Sequence, residues 1–212
     1  MDIITLNKIA WDVIGEDTAS PYMAQKWYSA VFRKFCSHLK KGAAVLDIGC
    51  GPGVPLTRAL VDQGYVVTAL DFSPRMVSIA QHNVPAAKKF LCMSMTDLNV
   101  AGEYDGAVAS YSLLCLDPIG FSSACQKIAR ALKPRGVCFV ALNENRDEHA
   151  LAKQSLATIA GQKMYTRAYA EQEIRAAFEG MQVLDLKREV VYSSMYGREH
   201  SIILLLQKIP PR

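Results

Sequence analysis

Apolar and polar positions along this chain fall into two alternating patterns. Ala43 to Ile48 read AAVLDI, apolar but for Asp47, as in a strand covered on both faces. Leu56, Ala59 and Leu60 then take up helical spacing, and Gly64 offers a C-cap before a β-branched run from Tyr65 to Leu70 that ends at Asp71. Ser73 as N-cap and Pro74 in the first turn open a helix whose buried stripe is Met76, Val77, Ala80 and Val84. Phe90–Met93 predicts a third strand and Tyr104–Ser110 a fourth. Phe121, Ala124, Cys125, Ile128 and Leu132 predict a helix, closed by a turn over Lys133–Gly136, and Val137–Leu142 a fifth strand. Strands and helices alternating at this spacing imply right-handed βαβ units and a parallel sheet with helices on both faces.

The two ends depart from that rhythm. The segment to Pro21 is polar and mixed, with Gly15, Asp17 and Ser20 as loop signals and an isolated Trp11. From Tyr22 to Leu39, Trp27, Val31, Phe35 and Leu39 recur every fourth position, which predicts an amphipathic cap helix. At the other end the pattern predicts helices over 147–160 and Glu171–Phe178. Two long strands follow, Val183–Ser193 and Ser201–Lys208, joined by Met195–Glu199. A connection that short permits a hairpin, so one of these strands runs antiparallel. The expectation is α/β: a doubly wound, mostly parallel seven-stranded sheet with the last strand antiparallel. It forms a single domain over 1–212, with a cap helix at about 22–39, a core at about 43–142 and a C-terminal cap and hairpin at about 143–212.

Composition removes several alternatives. Half of the 212 residues are hydrophobic and 21% charged, enough for a sizeable core. A formal charge of +4 arises from 24 basic and 20 acidic residues with no run of five like charges. Neither a nucleic acid nor a membrane is expected as partner. The six cysteines form no C-x-x-C, the histidines do not cluster, and Cys92 and Cys138 lie in apolar runs as expected core residues. No metal site is expected. Met1–Ala10 lacks an apolar h-region and no 18-residue apolar run occurs, so the expected location is cytoplasmic.

Chemistry concentrates at VLDIGCGPG, Val45–Gly53, where a strand ends in Gly49, Gly51 and Gly53 before a helix. Strand, glycine turn and helix aim backbone N–H groups into a crevice, and glycine lets a ligand approach closely. Asp71 ends the second strand, where doubly wound nucleotide folds place an acid on ribose hydroxyls. With Ser73 already available as the cap, Asp71 is free for that role. Position 54, where a dinucleotide fold has its third glycine, is Val54, and no G-K-[ST] occurs, so a P-loop is excluded.

This pattern resembles the S-adenosylmethionine (AdoMet) site of class I methyltransferases over most of the chain. VLDIGCGPG resembles the first motif of that family, ALDFS its acidic second-strand motif, and YDGAVASYSLL its fourth-strand motif. LKPRG resembles the LKPGG turn, with Arg135 in place of a glycine. The resemblance implies that Asp47 and the backbone of Gly49, Cys50 and Gly51 hold the methionine end of AdoMet, in a turn completed by Gly53. Asp71 would take the ribose, and Phe72 would lie against the adenine. Ser94 stands where the family often has an acid for the adenine amino group, with Met95 after it, and Ser110 would turn its carbonyl to the sulfonium.

Methyl transfer from a sulfonium needs little covalent help, because in-line placement supplies much of the acceleration. A base is required only if the acceptor must lose a proton early. The motifs of base-nitrogen, glutamine and cytosine-C5 methyltransferases are missing: Ser110–Leu113 reads SYSL, and no Pro-Cys occurs. The expected activity is therefore methyl transfer to O, N or S of a small molecule. The alternatives are an RNA or protein methyltransferase, a non-catalytic AdoMet-binding protein, and an NAD-dependent oxidoreductase. Tyr22, Tyr165, Arg167 and His200 are the expected acceptor contacts, drawn from segments that surround the sheet's C-terminal edge and also hold Glu144, Arg146, His149, Tyr169, Tyr196 and Arg198. His200 is the candidate base.

Overall fold

The computed structural model describes residues 2–15, 29–146, 154–159, 161–193 and 197–210. Nine strands occur among them: Ala44–Ile48 (β1), Val66–Asp71 (β2), Lys89–Cys92 (β3), Tyr104–Ser110 (β4), Leu132–Asn143 (β5), Gln154–Ile159 (β6), Gln162–Arg167 (β7), Met181–Ser193 (β8) and Gly197–Lys208 (β9). Seven of these form one sheet in the order β3-β2-β1-β4-β5-β9-β8, parallel except for β9, which runs antiparallel to both neighbours. The last strand is thus the antiparallel one. From β1 the chain first winds outward through β2 and β3, then restarts on the other side at β4. The crevice between β1 and β4, where the winding reverses, is the ligand position of doubly wound sheets.

Side chains alternate across the sheet and build two cores. Leu46, Ala107, Val140 and Leu204 face Pro118–Ala131 (α5) and Glu171–Ala177 (α6). Val45, Val108, Phe139 and Leu205 face Ser29–Ser37 (α2) and Leu56–Asp62 (α3). Pro74–Asn83 (α4) covers the β2 side, with Ser73 Oγ accepting from Met76 N at 3.0 Å as its N-cap.

The structure corrects several boundaries. Ile3–Ile14, expected as a loop, is a helix (α1) capped by Asp2, whose Oδ1 accepts from Thr5 N at 2.9 Å. Its buried positions Asn7, Ala10 and Ile14 do have helical spacing, but the polar Asn7 sits on the buried face while Ile4, Ile9 and Val13 are exposed. That inversion hides the apolar stripe. Of the expected helix at 147–160, the described part is β6, paired antiparallel with β7 in a two-stranded sheet apart from the main one. Leu156 faces Tyr165, an aliphatic–aromatic cross-strand pair that favours a sheet. Of the expected helix from Tyr22 to Leu39, the described part is α2; Tyr22 and Trp27 lie outside the described residues.

Strand β5 already begins at Leu132, so LKPRG is the irregular start of a strand rather than a turn before one. Arg135 there has φ 64°, the left-handed region where glycine is the default, which accounts for the glycine at this place in LKPGG. Strand β9 begins at Gly197, not Ser201, because its pairing with β8 runs on to Ser193. Cys92 is exposed, since β3 is the sheet's edge strand, while Cys138 is buried. No described helix is long and apolar enough to cross a membrane.

Candidate active site at the switch point

A pocket lies at the C-terminal edge of β1 and β2. Gly49, Leu70, Asp71 and Phe72 form its floor at the strand ends, Ser94 and Met95 one wall after β3, and Cys115 and Leu116 another after β4. Ile4 and Asn7 of α1 close over it. Five residues read from the sequence as cofactor contacts therefore meet in one cavity: Gly49, Asp71, Phe72, Ser94 and Met95.

Asp71 is 5% exposed and anchors the floor. Its Oδ2 accepts from Gly51 N and its Oδ1 from Ser73 N, each at 2.9 Å. Burial pushes its carboxyl up to about 6, against those backbone bonds, and Asp12 of α1 adds to the rise. Ser73 Oγ donates to Asp12 Oδ1 at 2.5 Å, so α1 is tied to the same acid-bearing loop. Each Asp71 oxygen accepts one of these bonds and retains further acceptor capacity.

The glycine turn differs from its expected form. Gly49 N and Cys50 N both donate to Leu70 O, at 2.8 and 3.0 Å, and Gly51 N donates to Asp71. All three amides thus bind β1 to β2 and none is free for a carboxylate. Asp47 also departs from expectation. Alternation along β1 turns it to the α2/α3 side, where it is buried and accepts from Thr57 Oγ1 at 2.6 Å. Burial pushes it up to about 7, with Thr57 opposing and Asp71 adding to the rise. Cys50 packs with Ala69, Ala80 and Phe90 rather than lining the cavity. Gly53 packs on α4, where an added Cβ would meet Ala80 Cβ and Val84 Cγ2, each at 3.1 Å.

On the β3 side, Ser94 caps a short turn of 3-10 helix, Met95–Asp97, its Oγ accepting from Thr96 N at 3.2 Å. A hydroxyl there leaves Met95 as the apolar wall, and Asp97 points to solvent. Ser110 ends β4 outside the cavity lining. Two residues later Ser112 does the close work: its Oγ donates to Ile48 O at 2.6 Å, and its Cβ would lie 2.3 Å from a Cβ on Gly49. Cys115 borders the pocket, and burial pushes its thiol up to about 12, so it is no nucleophile. No three His, Cys, Asp or Glu side chains gather as a metal site among the described residues.

Helix α1 is held over the cavity by Asn7, which is 1% exposed. Its Nδ2 donates to Cys115 O at 3.1 Å and to Tyr165 O at 3.0 Å, while its Oδ1 accepts from Tyr165 N at 2.7 Å. Asn7→Ala removes three buried hydrogen bonds and strands the Tyr165 amide. We expect a loss of about 1–3 kcal/mol in urea unfolding; an unchanged midpoint would show that α1 is not held this way.

Tyr165 and Arg167, expected acceptor contacts, lie on β7 beside the pocket wall, both buried. His200 is not brought to the cavity: it sits on β9, beyond β5 from β4, opposite Val190, with its carbonyl accepting from Glu144 N at 2.8 Å. Tyr22, His149 and Tyr196 lie outside the described residues. The sequence reading missed Ile4, Asn7, Ser112, Cys115 and Leu116. The first two were hidden in the unrecognised α1. The other three follow β4, where residue type alone gives no chemical signal.

Residues 45–136 match a family model described as a methyltransferase domain. A ubiquinone biosynthesis O-methyltransferase from Xanthomonas campestris is 35% identical over 118 residues, 52% of this chain and 48% of that protein. The chain thus spans about half the length of the curated relatives it matches. Among solved structures, 1,6-didemethyltoxoflavin-N1-methyltransferase from Burkholderia thailandensis, with S-adenosylhomocysteine bound, superposes with TM-score 0.73 at 21% identity, covering 97% of this chain and 88% of its own. The [4+2]-cyclase SpnF superposes with TM-score 0.64 at 21% identity, covering 98% and 93%. Residues 45–136 thus resemble a methyltransferase domain, and the sheet built on them shares its fold with these solved structures.

Proposed function

We propose that the protein transfers a methyl group from AdoMet to O, N or S of a small-molecule acceptor. The observation that carries this reading is the convergence of Gly49, Asp71, Phe72, Ser94 and Met95 on one pocket at the switch point. In it Asp71 would accept from the ribose hydroxyls, while Phe72 and Met95 would enclose the adenine. Ser94, an acceptor and donor, would meet the adenine edge where an acid is more usual. Asp47 and the amides of the glycine turn would act behind the cavity, by holding β1 and β2 in register for it. When bound, the cofactor supplies the activated methyl; the chain binds it, orients the acceptor and excludes water.

The relatives favour a small acceptor, since one is named for O-methylation in ubiquinone biosynthesis and another for N1-methylation of 1,6-didemethyltoxoflavin. A second reading has its own support: SpnF, named for a cyclisation, shares the fold, so an AdoMet-binding protein without methyl transfer is the rival. Calorimetric titration with S-adenosylhomocysteine tests the binding half. We expect saturable one-to-one binding and none of NADH, which a dinucleotide fold would prefer. No binding of S-adenosylhomocysteine would overturn the reading.

A further inference from the structure

Behind the pocket wall, β7 carries a group of donors that lack acceptors. Tyr165 and Arg167 are two residues apart on one strand and so share a face; each is 6% exposed. Arg167 Nη2 donates to Glu173 Oε1 at 2.6 Å, and its Cζ lies 4.3 Å from the centroid of the Tyr169 ring. Nε and Nη1, both buried, have no hydrogen-bond partner among the described residues, and neither has the Tyr165 hydroxyl. Unmatched buried donors are costly, and native interiors rarely hold several together. Packing alone would be served by an apolar residue on the Tyr169 ring, with no guanidinium to desolvate.

The group also adjoins the pocket. Asn7 grips the Tyr165 main chain, and Tyr169 Oη donates to Leu116 O at 2.6 Å; Asn7 and Leu116 both line the cavity. What the three donors lack is an acceptor with several lone pairs. The guanidinium charge, which is permanent, meets Glu173 through Nη2 alone, and the Glu173 side chain is 40% exposed. A monoanion suits a cation already shared with one carboxylate better than a dianion does. We propose that Arg167 and Tyr165 bind a carboxylate of the methyl acceptor and so place it beside the cofactor. This rests on the methyltransferase reading above.

Benzoate and its neutral isostere benzamide are the probes, titrated into the full chain with and without S-adenosylhomocysteine. Affinity is read by calorimetry and the site by the Arg167 Nε–H resonance. Benzoate is expected to bind saturably, to shift that resonance and to bind at least about tenfold more tightly than benzamide. Losing one hydrogen bond to a charged group weakens binding about 10- to 150-fold, the range expected for Tyr165→Phe, which keeps the buried ring. Arg167→Lys keeps the charge but loses the fork, and is expected to fall at least as far. A purely structural Arg167 would bind the two probes alike, or benzoate equally in wild type and Tyr165→Phe; either result overturns the proposal, as does no benzoate binding. Should benzoate fail while S-adenosylhomocysteine binds, only this assignment falls; failure of S-adenosylhomocysteine alone strikes the methyltransferase reading.

Discussion

Replacing Asp71 with alanine is expected to weaken S-adenosylhomocysteine binding about 10- to 150-fold, the loss of hydrogen bonds worth roughly 1.5–3 kcal/mol to a charged acceptor. Asp71 also holds the Gly51 and Ser73 amides, so the variant should melt somewhat lower as well. Asp71→Asn separates the two effects. It fills the same space but keeps one acceptor oxygen, so it should retain most of the stability while losing most of the affinity. Calorimetry against thermal unfolding distinguishes them, and unchanged affinity in both variants would remove Asp71 from the site.

The pH dependence supplies a check of opposite sign in the two measurements. The Asp71 carboxyl is raised to about 6 and that of Asp47 to about 7, both by burial. The folded state therefore binds protons more readily than the unfolded chain at these positions, and their destabilising contribution is full above those values and relieved as pH falls through them. A ribose hydroxyl donates best to the ionised Asp71. Lowering the pH from 8 to about 5 should thus weaken S-adenosylhomocysteine binding while these two acids burden the unliganded fold less. Binding that strengthens on acidification would contradict the ribose role.

The second large effect is expected at Gly49. Its φ is 71°, and an added Cβ would stand 2.3 Å from Ser112 Cβ. Ser112 cannot retreat without breaking its bond to Ile48 O. Left-handed strain of about 1–2 kcal/mol and overpacking of about 1–3 kcal/mol together put Gly49→Ala some 2–5 kcal/mol below wild type. That is a large share of a domain's usual 5–15 kcal/mol. Gly102, with φ 66° and nothing within 4 Å of an added Cβ, is the control, and Gly102→Ala should cost only the strain. Equal melting temperatures for the two variants would show that the β1 turn tolerates displacement and does not shape the pocket.

What could be read from sequence was whatever periodicity and local chemistry determine. Strands β1, β2 and β4, the Ser73 cap and the acid at Asp71 are all set by neighbouring residues, and each lies where it was expected. The antiparallel β9 was legible because a short connection constrains direction. What was not legible depends on distant partners. Helix α1 hides because Asn7 takes its place on the buried face through bonds to residues 108 and 158 positions away. The direction of Asp47 follows from strand alternation, but only the position of α3 shows that Thr57 rather than a ligand receives it. The amides of the glycine turn looked free because their acceptors, Leu70 O and Asp71 Oδ2, belong to another strand. His200 shares the sheet's ligand edge with the pocket, yet strand order inserts β5 between them, which no local pattern encodes.

Methyl transfer to a small molecule is tested most directly by following the label. The protein is incubated with methyl-labelled AdoMet and, separately, with low-molecular-weight, RNA and protein fractions of a bacterial extract. Label is expected in the low-molecular-weight fraction, in a product that binds an anion exchanger if the acceptor carries a carboxylate, and S-adenosylhomocysteine should form in equal amount. Label in the RNA or protein fraction, or no transfer to any fraction by a protein that binds AdoMet, would contradict it.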